Sequence, residues 1–358
     1  MKNKHNGIIS FWKFIYSLII IIFHGRLFAE PNASYILFSK GSIAVEFFFI
    51  VSGYLLANSA LKNESIDNPK DLGKETIKFI FKKIKTFFPY IFIFYISTLI
   101  VTIIYQKLSI YQVISSIWSL FMLNIAGFKG IEINGVVWYI GAMLICMLFL
   151  YPLIRKYKYN FIYIVSPLII ILLGGWLNHD YNSLRSPYVW LGFANKGLIR
   201  SFMVLNIGIV LYPIVKKLSK LNFTKFGKFC ITIIEISGFV APLLINHFLD
   251  SASKYDFVVL VILSIAIILA FSGKTLEYKF MNNKVSYFLE KISLPMYLSH
   301  ICIRTIMINS NLFLNLTYYN KLLILIISTM VISFIVMKFV ELLNKKNCSK
   351  KIKKIFLK

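Results

Sequence analysis

Long apolar runs recur from one end of the chain to the other, separated by short polar and basic stretches. About twenty apolar residues in a helix are enough to cross the hydrocarbon core of a bilayer. Apolar runs of this kind lie at 8–28, 41–60, 86–105, 111–128, 136–154, 161–177, 198–215, 229–249, 255–272, 292–309 and 321–340. The continuous Ile, Leu and Phe runs do not alternate with polar residues, so they favour helices over the strands of a membrane barrel.

The number of these segments is odd, which conflicts with the distribution of basic residues. If every segment crossed, the two basic ends would lie on opposite sides, and Arg155, Lys156 and Lys158 would lie outside. Cytoplasmic loops are enriched in Lys and Arg, so one segment should fail to cross. Segment 111–128 (YQVISSIWSLFMLNIAGF) is the least hydrophobic of the early ones, and we predict that it is re-entrant.

The sequence therefore predicts an all-α polytopic membrane protein with about ten transmembrane helices, one re-entrant segment and both termini in the cytoplasm. Residues 1–340 form a single integral-membrane domain in this interpretation, and residues 341–358 form a basic cytoplasmic tail. The first segment contains Lys13 and His24 and lacks a small-residue cleavage site, so we expect a retained helix and not a signal peptide.

Composition supports the membrane class, and the position of the basic residues accounts for the net charge. Apolar residues make up 58% of the chain, and the mean hydropathy is +0.74. The net charge of +26 would suit nucleic acid, but most of the 40 Lys and Arg residues fall on the cytoplasmic side of the predicted topology. We therefore assign the charge to positive-inside bias and contact with anionic lipid, and we predict no nucleic-acid partner.

Four cysteines occur without paired or CxxC spacing, at positions 146, 230, 302 and 348. This scatter predicts neither a disulfide framework nor a metal site.

The first two segments contain ionisable residues where a lipid-facing helix should have none. Lys13 and His24 share one face of the first helix and lie about 16 Å apart along its axis. Glu46 lies in the second segment at the same predicted depth as His24. Such residues usually face a bundle interior and have a function there. We predict a catalytic pair in which Glu46 orients His24; the alternative is that Glu46 neutralises Arg26 at the helix mouth.

Later segments add polar groups at comparable depths. Trp138 opens one helix, where an aromatic interface belt is also expected. Arg200 is either a snorkelling anchor or a fixed cation for an oxyanion or acceptor. Tyr297 and His300 lie on one face of a late helix (ISLPMYLSHICIR), together with Arg304. We group Arg200, Trp138, Tyr297 and His300 as candidate acceptor or oxyanion residues.

These residues resemble the motifs of membrane-bound acyltransferase family 3. That family has a basic residue, ten intervening positions and a histidine in its first helix, as in Lys13…His24, where Lys replaces the usual Arg. A segment of the form G-x-x-V-[ED]-x-F-F-x-x-S-G-[FY]-L follows, here GSIAVEFFFIVSGYLL. Basic residues before a proline (KKIKTFFP) and a Trp-led helix (WYIGAMLICMLFLYPLI) also match. One branch of the family has a Glu where this chain has Met143, so we assign that position no role.

The resemblance implies transfer of an acyl group, usually acetyl from cytoplasmic acyl-CoA, to a hydroxyl of a carbohydrate. Lys13, Lys82, Lys83 and Lys85 cluster at the predicted inner face, where CoA phosphates would be attracted. Acetyl-CoA or another acyl-CoA is then a substrate, and we expect no permanently bound cofactor. His24 would act as a general base or as an acyl relay.

The same resemblance predicts a multi-pass protein of the bacterial cytoplasmic membrane. Its partners would be the bilayer, acyl-CoA, a cell-surface or lipid-linked carbohydrate and, where activity requires them, envelope polysaccharide synthesis proteins. The main alternative is a transporter of a glycan or glycolipid, although the chain shows no internal repeat of the kind common in transporters. A structural partner in an envelope synthesis complex is a third interpretation.

Overall fold

The computed structural model describes residues 5–30, 33, 35–62, 68–249 and 252–356, and the backbone alone of 252–253 and 346–356. The described chain is 80% helical and has no strand. The α-helices are α1 Gly7–His24, α2 Ala44–Ala60, α3 Pro69–Gln106, α4 Ile110–Ser115, α5 Ile117–Leu120, α6 Trp138–Asn160, α7 Ser166–Tyr181, α8 Lys196–Leu218, α9 Lys225–Phe248, α10 Asp256–Ser272, α11 Tyr278–Met281, α12 Lys284–Asn309 and α13 Tyr318–Phe356.

Within the described residues, 7 helical stretches are long and apolar enough to cross a membrane. They are Gly7–Phe28, Gly41–Ala60, Pro69–Gln106, Trp138–Tyr181, Lys196–Leu218, Lys225–Phe248 and Tyr318–Lys345. Helix α10 is apolar but shorter, and α12 is 26 residues long but contains several charged residues. The all-α membrane class is thus confirmed. The count of ten crossings and the cytoplasmic position of both termini stay predictions.

The stretch 138–181 is one helical run that contains two of the predicted segments. It consists of α6, a π-helical turn at Phe161–Val165 and α7. Lys158 interrupts the run with a left-handed φ of 46° and ψ of −121°. Both α6 and α7 pack against α8.

The predicted re-entrant segment 111–128 is not one continuous helix. It is divided among α4, α5 and a 3-10 turn at Asn124–Ala126. Ser109 caps α4 through a capping box with Gln112, and Ser116 ends the same helix after one and a half turns. Tyr95 of α3 bonds the Ser116 hydroxyl at 2.6 Å, which ties the segment to the bundle. Its re-entrant path stays a prediction.

A close helix crossing joins α2 and α8 through two glycines. A Cβ atom added to Gly53 would lie 2.1 Å from the Leu205 carbonyl oxygen, and one added to Gly208 would lie 2.1 Å from that of Ile50. Only glycine allows the two backbones to approach so closely. Because α2 and α8 run in the same direction from this crossing, Glu46 and Arg200 are brought together near their N-terminal ends.

Helices α1 and α12 also run side by side in one direction. Lys13 contacts Glu290 near one end of the pair, and His24 contacts Arg304 near the other. These two contacts define what we call the Lys13 end and the His24 end of the bundle. Residues 341–356 of the predicted basic tail continue α13 as helix, and residues 357–358 lie outside the described part of the chain.

Candidate active site

At the Lys13 end, the ammonium group of Lys13 has a carboxylate partner that the sequence did not reveal. Its Nζ atom donates to Glu290 Oε1 at 2.6 Å. The other Glu290 oxygen accepts from the Ser10 hydroxyl at 3.0 Å and lies 3.3 Å from His5 Nε2. Lys13 is therefore held in a fixed position in the wall of the bundle.

A cavity of about 590 Å³ begins at Lys13 and extends into the bundle. Lys13, Lys82 and Lys83 lie at this end, and the Lys83 ammonium is 5.7 Å from the centre of the Phe79 ring. Further in, the walls come from α1, α2, α3, α6 and α12. The lining is basic at one end and mostly apolar and hydroxylic beyond it, with Ser17, Ser52, Tyr139 and Tyr297.

The fourth predicted donor lysine lines a neighbouring cavity. This second space, of about 560 Å³, has Lys78, Lys82 and Lys85 in its wall and reaches Asn344 of α13. Lys82, Thr86 and Tyr90 border both cavities. The structure thus brings all four predicted donor lysines to one end of the bundle, around two adjoining spaces.

Four aromatic rings form a series from the inner end of the larger cavity toward His24. The Tyr139 and Tyr297 ring centroids are 6.0 Å apart, Tyr297 and His300 are 6.2 Å apart, and His300 and His24 are 5.1 Å apart. Tyr297 donates its hydroxyl proton to the Val136 carbonyl at 2.6 Å, which fixes the ring. His24 and His300 therefore lie beyond the cavity's lining residues, behind Tyr297.

His24 is held by Arg304, and this contact determines the tautomer of the ring. The Arg304 Nη1 atom lies 3.1 Å from His24 Nδ1. A guanidinium can only donate, so Nδ1 must accept, and the neutral ring carries its proton on Nε2. The basic lone pair of His24 is consequently on Nδ1, the nitrogen beside Arg304.

His300 has the opposite arrangement. Its Nδ1 atom lies 3.2 Å from the Met296 carbonyl oxygen, which can only accept, so Nδ1 carries the proton. The remaining nitrogen, Nε2, is buried and has no hydrogen-bond partner among the described residues. His300 is fully buried. It is thus a helix-anchored ring with one unused acceptor close to His24.

The expected pair of His24 with Glu46 is not formed in the described structure. Glu46 instead makes an ion pair with Arg200, and both side chains are buried. Arg200 also donates from Nη1 to the Leu184 carbonyl at 2.7 Å and lies 5.4 Å from the centre of the Trp138 ring. The physical reason is the glycine crossing, which brings α8 against the face of α2 that carries Glu46. Helix α1 contacts a different residue of that turn, Phe47, whose ring stacks on Tyr16. The alternative partner Arg26 is elsewhere, stacked 4.1 Å from the Phe23 ring centre.

Glu290 and Tyr139 are residues of this region that the sequence did not reveal. The spacing along α12 did place Arg304 on one face with Tyr297 and His300, but it predicted no role for Arg304. Glu290 lies in a polar stretch before the apolar part of α12, and nothing in the sequence connects it to Lys13. Tyr139 bonds weakly to Ser52, at 3.4 Å, and to the Met143 sulfur, at 3.7 Å. Met143 itself lines the cavity.

The structure thus defines a multi-pass helical membrane protein with a cavity that is basic at one end and leads toward two neighbouring histidines, the partly buried His24 and the buried His300. Comparison with known protein families gives a match to the family described as "Acyltransferase domain", the acyltransferase-3 family, over residues 6–338. The chain belongs to this family, as its motifs indicated. No curated protein matches the chain significantly, and no solved structure does so either.

Proposed function

We propose that the protein is a membrane O-acyltransferase that moves an acyl group, in the first place acetyl, from acyl-CoA to a hydroxyl of a carbohydrate. The observation that carries this proposal is the cavity with Lys13, Lys82 and Lys83 at one end and Tyr139 and Tyr297 at the other, inside an acyltransferase domain. The carbohydrate would be a cell-surface or lipid-linked glycan, and the site would lie in the bacterial cytoplasmic membrane.

The donor half of the proposal rests on charge and shape. CoA carries phosphate groups at one end and its thioester at the end of a long, slender arm. Ammonium groups bind phosphate as point charges, and here Lys82 and Lys83 line the cavity together with Lys13. The apolar and hydroxylic lining beyond them, with Ser17 and Ser52, suits the amide-bearing arm. The Lys13 end would then face the cytoplasm, which agrees with the predicted topology.

The acceptor half rests on His24. In acyl transfer, the acceptor oxygen forms a bond to the carbonyl carbon, the carbon–sulfur bond breaks, and the hydroxyl proton must go to a base. The lone pair of His24 is on Nδ1, so Nδ1 is the base site, and Arg304 occupies it in the structure. Arg304 must leave Nδ1 before the hydroxyl can hydrogen-bond there. The proton is finally transferred to the CoA sulfur, so that CoA leaves as the free thiol.

Glu46 and Arg200 have a positioning role in this proposal. Arg200 joins Glu46, the loop carbonyl of Leu184 and the Trp138 ring. Residue 139, next to Trp138, lines the cavity. The pair therefore sets the depth of α6 relative to α2. A direct role of Arg200 at an oxyanion stays a prediction, as does an acceptor contact for Trp138.

The test is acyl transfer by purified protein in nanodiscs, with radiolabelled acetyl-CoA and a glycan acceptor extract, comparing wild type with His24→Ala and His24→Gln. We expect loss of transfer in both variants at normal protein level, while acetyl-CoA still protects the protein from thermal unfolding. Unchanged transfer in His24→Ala would exclude His24 as the base. Failure of acetyl-CoA to protect the wild type would exclude the donor site.

A further inference from the structure

Two arginines at the His24 end have no carboxylate partner among the residues that the structure describes. Arg304 contacts only the neutral nitrogen of His24 through Nη1, and its buried Nε atom has no hydrogen-bond partner among the described residues. Arg26 stacks on Phe23 and donates to the Ser39 carbonyl at 3.2 Å. Neither arginine forms an ion pair in the part of the chain that the structure describes.

The nearby charges make this more unfavourable. Arg26 and Arg304 are close enough to repel each other, and Arg26 also feels the charge of Arg185. Arg185 is itself paired with Asp256 at 3.0 Å, so that carboxylate already has a partner. His24 and His300 between them supply no negative charge. A partly buried guanidinium without a counter-ion is costly, and arginines in such a position are well suited to bind a carboxylate or phosphate group.

We infer that the guanidinium groups of Arg304 and Arg26 bind a carboxylate or phosphate group that the acyl acceptor carries, beside His24. This inference rests on the proposed function, because it specifies the acceptor as an anionic carbohydrate. Arginine suits the role because its planar fork can donate two parallel hydrogen bonds to such a group. Arg26 is exposed and Arg304 is partly buried, so the ligand would enter from the surface at Arg26.

The same contact explains how His24 becomes available. When Arg304 turns toward an anion, Nδ1 of His24 loses its donor and can accept the hydroxyl proton of the same acceptor molecule. A neutral acceptor would leave Arg304 on Nδ1. The two arginines would therefore select for anionic acceptors in binding and again in the proton transfer.

The experiment measures binding without catalysis. Thermal unfolding of the full chain in a neutral detergent is followed at constant ionic strength with sodium glucuronate, inorganic phosphate or glucose. We expect stabilisation by glucuronate or phosphate and none by glucose. Arg304→Gln and Arg26→Gln should each weaken the apparent affinity about tenfold or more, as loss of a charge-assisted hydrogen bond implies. Lys129→Gln removes an exposed charge without touching the cluster and is the matched control.

Three results would overturn the inference. These are no stabilisation by either anion, equal stabilisation in all variants, and loss of the effect in Lys129→Gln as well. In a parallel arm, nanodiscs of phosphatidylcholine are compared with nanodiscs that contain phosphatidylglycerol. Stabilisation by the anionic lipid alone would assign the arginines to a headgroup and not to an acceptor. Should Arg304→Gln fail to fold, Arg26→Gln still decides, because its side chain is exposed.

The two experiments distinguish failure of anion binding from failure of the proposed acyl transfer. If anion binding persisted while acyl transfer was absent, the proposed activity would be overturned, but the inferred anion-binding site would still stand. In an active enzyme, the expected readout is the ratio of kcat/KM for a glucuronoside to that for the matching glucoside. That ratio should fall about tenfold in Arg26→Gln. Transfer that is equally fast to both glycosides in the wild type would overturn the anion site alone.

Discussion

Glu46 and Arg200 form an ion pair between α2 and α8 in which both side chains are buried. The glycine crossing lies about two turns further along both helices, and its close backbone approach holds α2 and α8 side by side. Each partner compensates the desolvation of the other, and Arg200 has the Leu184 carbonyl as an additional acceptor.

Removal of one partner should therefore cost more than removal of both. We expect Glu46→Gln and Arg200→Met each to destabilise the protein by about 3–5 kcal/mol, because each leaves an uncompensated buried charge. The double variant should be more stable than the sum of the single effects predicts. Thermal unfolding in detergent measures all four proteins. Additive losses would show that the two charges do not depend on each other.

The glycine crossing gives a second prediction. In Gly53→Ala the new methyl group would meet the Leu205 carbonyl oxygen at 2.1 Å, so the helices must separate. We expect the free energy of unfolding to fall by an amount near the upper end of about 1–3 kcal/mol. We also expect loss of activity, because Glu46 and Arg200 shift. Gly175→Ala is the matched control, because nothing lies within 4 Å of a Cβ atom there. It should be neutral or slightly stabilising. Equal effects at the two glycines would contradict the close approach.

The lysines of the larger cavity should act on donor binding. Lys83→Gln removes one phosphate-facing charge, and we expect KM for acetyl-CoA to rise about tenfold with a small change in kcat. Lys13→Arg should keep activity, because it preserves the charge and the contact with Glu290. Lys70→Gln lies on the same helix, is exposed and does not line the cavity, so it is the control. An unchanged KM in Lys83→Gln would place the phosphates elsewhere.

A pH effect is expected in the loops at the His24 end, where Tyr188 donates its hydroxyl proton to Glu132. Burial raises the pKa of Glu132 to about 7, against the opposing effect of the Tyr188 hydrogen bond. A carboxyl whose pKa is raised by folding favours the folded loop in its protonated form. Its contribution is full below the unfolded pKa of 4.5 and disappears as the pH rises through about 7.

Hydrogen exchange of residues 128–136 and 186–192, corrected for intrinsic rates, measures this effect. Protection should be greater at pH 5.5 than at pH 8. In Glu132→Gln, which imitates the protonated form, protection should stay high at both values. If the variant retained the pH dependence, another group would have to be its source.

The sequence alone determined the membrane class and the family, and it predicted candidate polar residues for the site. Hydrophobic length is a local property, and the Lys13…His24 spacing and the GSIAVEFFFIVSGYLL segment are continuous in the chain, so both can be identified without a structure. The gathering of the four predicted donor lysines at one end also follows from local features, since one helix carries three of them.

Only the tertiary structure decided which groups are partners. Glu46 and His24 have the same predicted depth, but depth does not specify the direction in which a helix face points. The close approach of Gly53 and Gly208 places Glu46 against Arg200. The parallel packing of α1 and α12 places His24 against Arg304 and Lys13 against Glu290. These contacts join residues more than 150 positions apart, and they depend on how helices pack and not on the periodicity of any one helix.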